Sequence, residues 1–87
     1  MNGRARVGWN LRRIRVDRGI SQAALAVDAG LDQAQVSRIE KGNENPSVDL
    51  LDRLAQALNV DVAEFLVQPK RGEKRAAPLK SGRRPRS

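Results

Sequence analysis

Two side-chain types central to covalent and metal chemistry are missing from these 87 residues. There is no Cys and no His, which excludes thiol nucleophiles, disulfides, imidazole bases and zinc sites built on either residue. Carboxylates are present, but no pair of them is supported by a nucleophile or a metal-ligand cluster. No catalytic activity, cofactor or metal is therefore expected. The sequence does hold a run of hydrogen-bonding side chains, Gln33, Gln35, Ser37 and Arg38. Amides, a hydroxyl and a guanidinium recognise polar groups without reacting with them. Recognition of this kind needs a rigid element to aim it.

Helices are the elements the sequence supports. Within 7–67 the apolar residues recur at helical spacing, with no strict alternation to signal strands. Ala and Leu are frequent and aromatics make up 2%, which agrees. Val7, Leu11 and Ile14 share one stripe of a first helix that should end at Gly19. Ser21 is a good N-cap for a second helix carrying Leu25, Ala26 and Ala29, stopped by Gly30. Asp32 caps a third, with Gln35 placed to complete a capping box and Val36 and Ile39 facing inward. Gly42 ends it. After the polar loop at 43–46, Ser47 caps a fourth helix with the stripe Leu51, Leu54, Ala55 and Leu58, and Asn59 suits a left-handed stop. Asp61 opens a short fifth helix holding Phe65 and Leu66 as core. The expected fold class is all-α, with five helices.

Residues 21–42 are the informative unit. Two short helices meet at a tight turn: small Ala26 lets them cross closely, Gly30 turns the chain and Leu31 plugs the corner. This is helix-turn-helix logic, in which the second helix of the pair enters the DNA major groove. Val36 and Ile39 satisfy the core, leaving Gln33, Ala34, Gln35, Ser37 and Arg38 turned outward.

From about Val7 to Leu66 the chain resembles the lambda-repressor-like (Cro/CI, XRE-type) DNA-binding domain family. The resemblance is carried by Leu-Arg-x-Ile-Arg at 11–15, Gly-Ile-Ser-Gln at 19–22 and Leu25-Ala26. It continues through Gly30, Val-Ser-Arg-Ile-Glu-Lys-Gly at 36–42, Asn-Pro-Ser at 45–47 and Leu-Ala-x-Ala-Leu at 54–58, in order and at family spacing. It implies a role for each matching position. Gln22 matches a residue that contacts phosphate and braces the recognition helix. Gln33, Ala34, Gln35 and Arg38 match the base-reading surface, and Ser37, Lys41, Asn43 and Asn45 match positions near the DNA backbone. Gln can pair with adenine and Arg with guanine in bidentate fashion, each worth roughly 1–3 kcal/mol of discrimination. Arg15 and Glu40 match a structural ion pair joining the first helix to the end of the third.

The implied function is sequence-specific binding of double-stranded DNA by a transcriptional regulator, expected to repress. A homodimer on a palindromic site is expected, with half-sites roughly 34 Å apart or a multiple of it. The competing reading is an antitoxin or other interaction module whose main partner is a protein. Trp9 and Val16 lie on the side of the first helix away from its core stripe, where the family has polar residues. They form a candidate interface, or are covered by the chain's own ends.

Charge divides the chain. The net charge is +7, and residues 68–87, with eight bases and one acid, hold all of it. Residues 1–18 carry six bases and one acid, and 19–67 three bases and eight acids. The organisation expected is a flexible arm at 1–6 containing Arg4 and Arg6, a domain at 7–67, and a disordered basic tail at 68–87. DNA phosphates are the expected partner of the tail, with RNA or anionic membrane, or a solubilising or partner-binding role, as alternatives. No apolar run approaches the roughly 20 residues of a membrane span, so a cytoplasmic, nucleoid-associated protein with no membrane contact is expected.

Overall fold

Asn2 starts the first helix. Its side-chain oxygen accepts from the Ala5 N–H at 2.9 Å, supplying one of the acceptors that a helix N-terminus lacks. In the computed structural model, which describes residues 1–69, α1 therefore spans Gly3–Asp17, α2 Gln22–Ala29, α3 Gln33–Glu40 and α4 Val48–Leu58, followed by a 3₁₀ helix at Val62–Leu66. The early start of α1 corrects the expected boundary at Val7, because Gly3 to Arg6 are helical. The basic tail beyond Pro69 lies outside the described residues.

The turn residues do what their types suggest. Ser21 and Ser47 accept from Ala24 N–H and Leu50 N–H, each at 3.0 Å. Gly19, Gly30 and Gly42 all have positive φ, and Asn59 takes the left-handed conformation at φ 56°. One cap differs from expectation. Asp32 makes no side-chain cap bond, and the capping box with Gln35 does not form, because the Gln35 amide is bonded to Glu44 at 2.9 Å instead.

Five α-helices were expected. Four form among the described residues, and the fifth segment is 3₁₀, with Asp61 accepting from Ala63 N–H at 2.8 Å. A three-residue period brings Val62 and Phe65 to one side. Phe65 is fully buried and Val62 packs against the core, while Leu66 is left half exposed. The expectation of Leu66 in the core is corrected on that ground.

The core gathers one stripe from every helix: Val7, Leu11 and Ile14, then Leu25, Ala26 and Ala29, then Val36 and Ile39, then Leu50, Leu51, Leu54, Ala55 and Leu58, closed by Phe65. Each fully buried Leu, Ile or Phe contributes about 1.5–3 kcal/mol relative to an exposed one. Leu31 sits at the α2–α3 corner against this cluster.

The middle of α1 is enclosed on more sides than its apolar stripe implies. Gly8 faces the end of α3 so closely that a Cβ there would overlap the Ile39 carbonyl oxygen and stand 2.7 Å from that of Glu40. Asn10 is fully buried. Its amide nitrogen donates to the carbonyls of Phe65 at 3.0 Å and Val67 at 2.7 Å, tying the 3₁₀ segment to α1. Trp9, next to Asn10, keeps only 7% of its surface exposed, with the Arg13 guanidinium carbon 5.6 Å from the ring centroid. Of the two readings of the Trp9/Val16 patch, the burial favours coverage by the chain itself over an open interface: Trp9 is buried and Val16 half-buried.

Candidate nucleic-acid interface

A recognition surface is best presented by a rigid helix, and α3 with the turn that leads into it is held at three places. Its inner residues Val36 and Ile39 are fully buried. At its end, the Glu40 carboxylate accepts from Arg15 of α1 through Nε and, at 3.0 Å, through Nη2. Arg15 and Glu40 are 4% and 1% exposed, so this is a desolvated, bidentate pair of the strong kind. The remaining Arg15 nitrogen donates to the Ile20 carbonyl at 2.8 Å. Gln22, at the start of α2, donates to Glu40 Oε1 at 3.1 Å. One carboxylate thereby joins α1, α2 and α3.

A third restraint acts at the far side of α2. Arg53 of α4 donates to the carbonyls of Ala29 at 3.1 Å and Gly30 at 2.7 Å, placing a cation at the C-terminal end of α2, where the helix dipole favours it. The turn between α2 and α3 is closed by Leu31 N–H bonded to the Ala26 carbonyl at 2.8 Å.

On this frame the outward face of α3 carries Gln33, Ala34 and Arg38 exposed, with Gln35 and Ser37 half-buried. Lys41, Asn43 and Asn45 are exposed in the connection that follows. The expected reading residues thus share one short helix, and the expected backbone-contacting residues lie on that helix and in the loop after it, apart from Gln22 at the start of α2. Trp9 and Val16 sit on α1 and do not join this surface.

Sequence reasoning missed Glu44. Its carboxylate accepts from the Gln35 amide at 2.9 Å and from Arg38 Nε at 3.0 Å. The Gln35 hydrogen bond, then that of Arg38, holds the Glu44 carboxyl below its ordinary value of 4.5. A group with a lowered folded-state pKa contributes stability above its ordinary value and loses it as pH falls through the lowered one. The Glu44 contacts are therefore fully formed at neutral pH. Asn10 and Gly8 were missed as well, being a polar and a small residue inside an apolar pattern.

Among the described residues no group of three His, Cys, Asp or Glu side chains is placed to hold a metal. No helix among them is long and apolar enough to cross a membrane.

Comparison with known proteins agrees with this geometry. Residues 11–65 match the model of a family described as helix-turn-helix. The chain is 41% identical over 66 residues to the uncharacterized HTH-type transcriptional regulator y4dJ of Sinorhizobium fredii, covering 76% of this chain and 86% of that one. A hypothetical transcription factor from Neisseria superimposes with a TM-score of 0.75 at 35% identity, covering 78% of each chain. The restriction-modification controller protein C.AhdI from Aeromonas hydrophila superimposes with a TM-score of 0.70, also at 35% identity, over 71% of this chain and 94% of that one. Three other relatives are longer, and the chain spans between 33% and 42% of their lengths.

Proposed function

This chain belongs to the helix-turn-helix family and is a DNA-binding transcriptional regulator, and on that footing we propose that it reads a specific duplex site with α3 in the major groove, as a homodimer that represses transcription. The observation that carries the reading is the contrast within α3. Its inner face and its end are immobilised by buried contacts, while Gln33, Ala34 and Arg38 stand in solvent with amide and guanidinium groups suited to base edges. Gln33 and Gln35 match adenine, Arg38 matches guanine, and Ala34 offers a methyl to thymine. Lys41, Asn43 and Asn45 contact phosphate and set the register. Gln22 acts on α3 through Glu40 and reaches the backbone from the start of α2.

A single short helix reads few base pairs, which favours two copies on a palindromic site. The cytoplasm, on the nucleoid, is the place of action that fits a regulator of this kind. No enzymatic step is assigned to the chain, and the relatives named as regulators and controllers give no support to the antitoxin reading.

The proposal is tested by selecting bound sequences from random duplex DNA, which yields the site and its half-site spacing together. Gln33→Ala combined with Arg38→Ala should then lower preference for the selected site over a scrambled duplex by at least about tenfold, since each bidentate contact carries roughly 1–3 kcal/mol. Weak, salt-sensitive binding should survive. Fluorescence anisotropy competition measures both, and an unchanged preference would sink the assignment of α3.

A chain ending at Gln68 makes a separate prediction. It should choose the same site with weaker affinity and a shallower dependence on salt, losing about 0.9 of slope in log K against log salt for each phosphate contact removed. An unchanged slope would mean that the basic tail does not touch DNA.

A further inference from the structure

Two of the long polar side chains on α3 are not free to rotate. Gln35 and Arg38 lie three residues apart on one face of the helix, and both are bonded to the same carboxylate, that of Glu44. The backbone places it there. Gly42 takes a left-handed conformation at φ 74°, and Asn43 N–H donates to the Arg38 carbonyl at 2.9 Å, so the chain doubles back beside the last turn of α3. The Glu44 side chain is 24% exposed and that of Arg38 53%: the carboxylate sits behind and the guanidinium in front.

A carboxylate in this position is unfavourable for plain DNA affinity, because it brings a negative charge toward a polyanion. Its bonds suggest what it contributes instead. By accepting from Arg38 Nε it occupies one edge of the guanidinium and leaves the two terminal nitrogens, the pair able to span guanine O6 and N7. By accepting from the Gln35 amide nitrogen it settles which way that amide points, since turning the oxygen toward the carboxylate would set two acceptors against each other. One N–H and the oxygen of Gln35 then remain for the N7 and N6 positions of adenine. Either side chain alone has many rotamers, and ordering each on binding costs free energy. A shared anchor removes much of that cost before DNA arrives.

We propose that Glu44 is a specificity-determining positioning residue, which holds Gln35 and Arg38 in one reading geometry and raises discrimination between sites while lowering affinity for DNA in general. The inference rests on the reading of α3 as the base-contacting helix.

The test uses the full chain, a selected duplex and a scrambled duplex. Glu44→Gln removes the charge and one of the two strong acceptors. Binding to the scrambled duplex should strengthen several-fold, while preference for the selected site should fall by about tenfold, the discrimination carried by one good bidentate contact. Glu44→Asp keeps the charge but is too short to hold both partners, so it should lose preference without gaining non-specific affinity. In a Gln35→Ala, Arg38→Ala background, Glu44→Gln should leave the residual preference unchanged, because the groups it acts through are gone.

Preference retained in Glu44→Gln would overturn the proposal, as would an equal fall in both backgrounds accompanied by a lowered melting temperature, the sign of a merely structural role. Failure of the underlying reading is visible separately: wild-type protein would itself show no preference, or would keep its preference after Gln33→Ala and Arg38→Ala. Either result would remove the Glu44 proposal along with that reading.

Discussion

Glu40→Ala should lower folding stability by about 3–5 kcal/mol, the usual cost of removing one partner from a buried ion pair. The loss arises less from the missing attraction than from what stays behind. Arg15 is 4% exposed, and without Glu40 its guanidinium keeps the Ile20 carbonyl but loses its carboxylate in a place water does not reach. Gln22 loses its Glu40 partner as well. A domain of this size has only roughly 3–10 kcal/mol in total, so the variant should be substantially unfolded at physiological temperature. Urea titration followed by Trp9 fluorescence measures it.

The outcome for the pair differs from that for either single change. Arg15→Met with Glu40→Leu removes both charges, and buried pairs replaced by apolar residues are often neutral or better. Most of the lost stability should therefore return in the double variant. Its DNA discrimination should not return, because Gln22 has no carboxylate to hold and the end of α3 is no longer tied to two other helices. A single-variant loss below about 1 kcal/mol, the range of an exposed pair, would show that the brace is not desolvated in solution.

Gly8→Ala is the second large effect, and its sign separates two levels of description. Helix propensity alone favours Ala over Gly in a helix interior by about 0.5–1 kcal/mol. The packing opposes this. The added Cβ would overlap the Ile39 carbonyl oxygen and press on that of Glu40, and both are backbone atoms of a helix end that cannot rotate aside. Overpacking of this kind costs up to about 3 kcal/mol, so a net loss of about 2 kcal/mol is expected. For a domain this small that corresponds to a fall of roughly 10 °C in melting temperature. Thermal unfolding decides it: a melting temperature equal to or above wild type would mean that α1 and α3 are not in contact at this point. Because the clash falls beside Glu40, the surviving folded fraction should also discriminate DNA sites less well.

Features that depend on neighbours in the chain were legible in the residues themselves. Ser21 and Ser47 cap their helices, Gly30 and Gly42 turn left-handed after theirs, and Asn59 does the same without being glycine. The apolar stripes of the four α-helices are the core. The outward set on α3 followed from assigning Val36 and Ile39 to the interior, and the Arg15–Glu40 pair followed from family resemblance alone.

What was not legible has two causes. Asn10 is bonded to carbonyls 55 and 57 residues away, Gly8 meets the end of α3, and Trp9, for which periodicity left an interface and coverage both open, is buried. Leu66 turned outward because its segment wound with a three-residue period. Gln35 left its capping-box position because Glu44 offered a stronger, charged partner. For Asn10, Gly8 and Trp9 the choice is not encoded in local propensity, since it is settled only when the chain closes; for Leu66 and Gln35 it turns on the winding of one segment and on a partner nine residues away.

The sequence by itself determined that this protein is helical and which helix turns amides and a guanidinium outward. Composition, period and cap chemistry suffice for those, because they concern contacts within a few residues. Only the tertiary structure decided how that face is held. It placed one buried carboxylate under three helices at Glu40 and one half-shielded carboxylate beside two reading side chains at Glu44. A carboxylate is the same letter in both places. What distinguishes a brace from a guide, and either from a solvated surface charge, is the surrounding burial and the donors that the fold brings to it, from 25 and 18 residues away at Glu40 and from nine and six at Glu44.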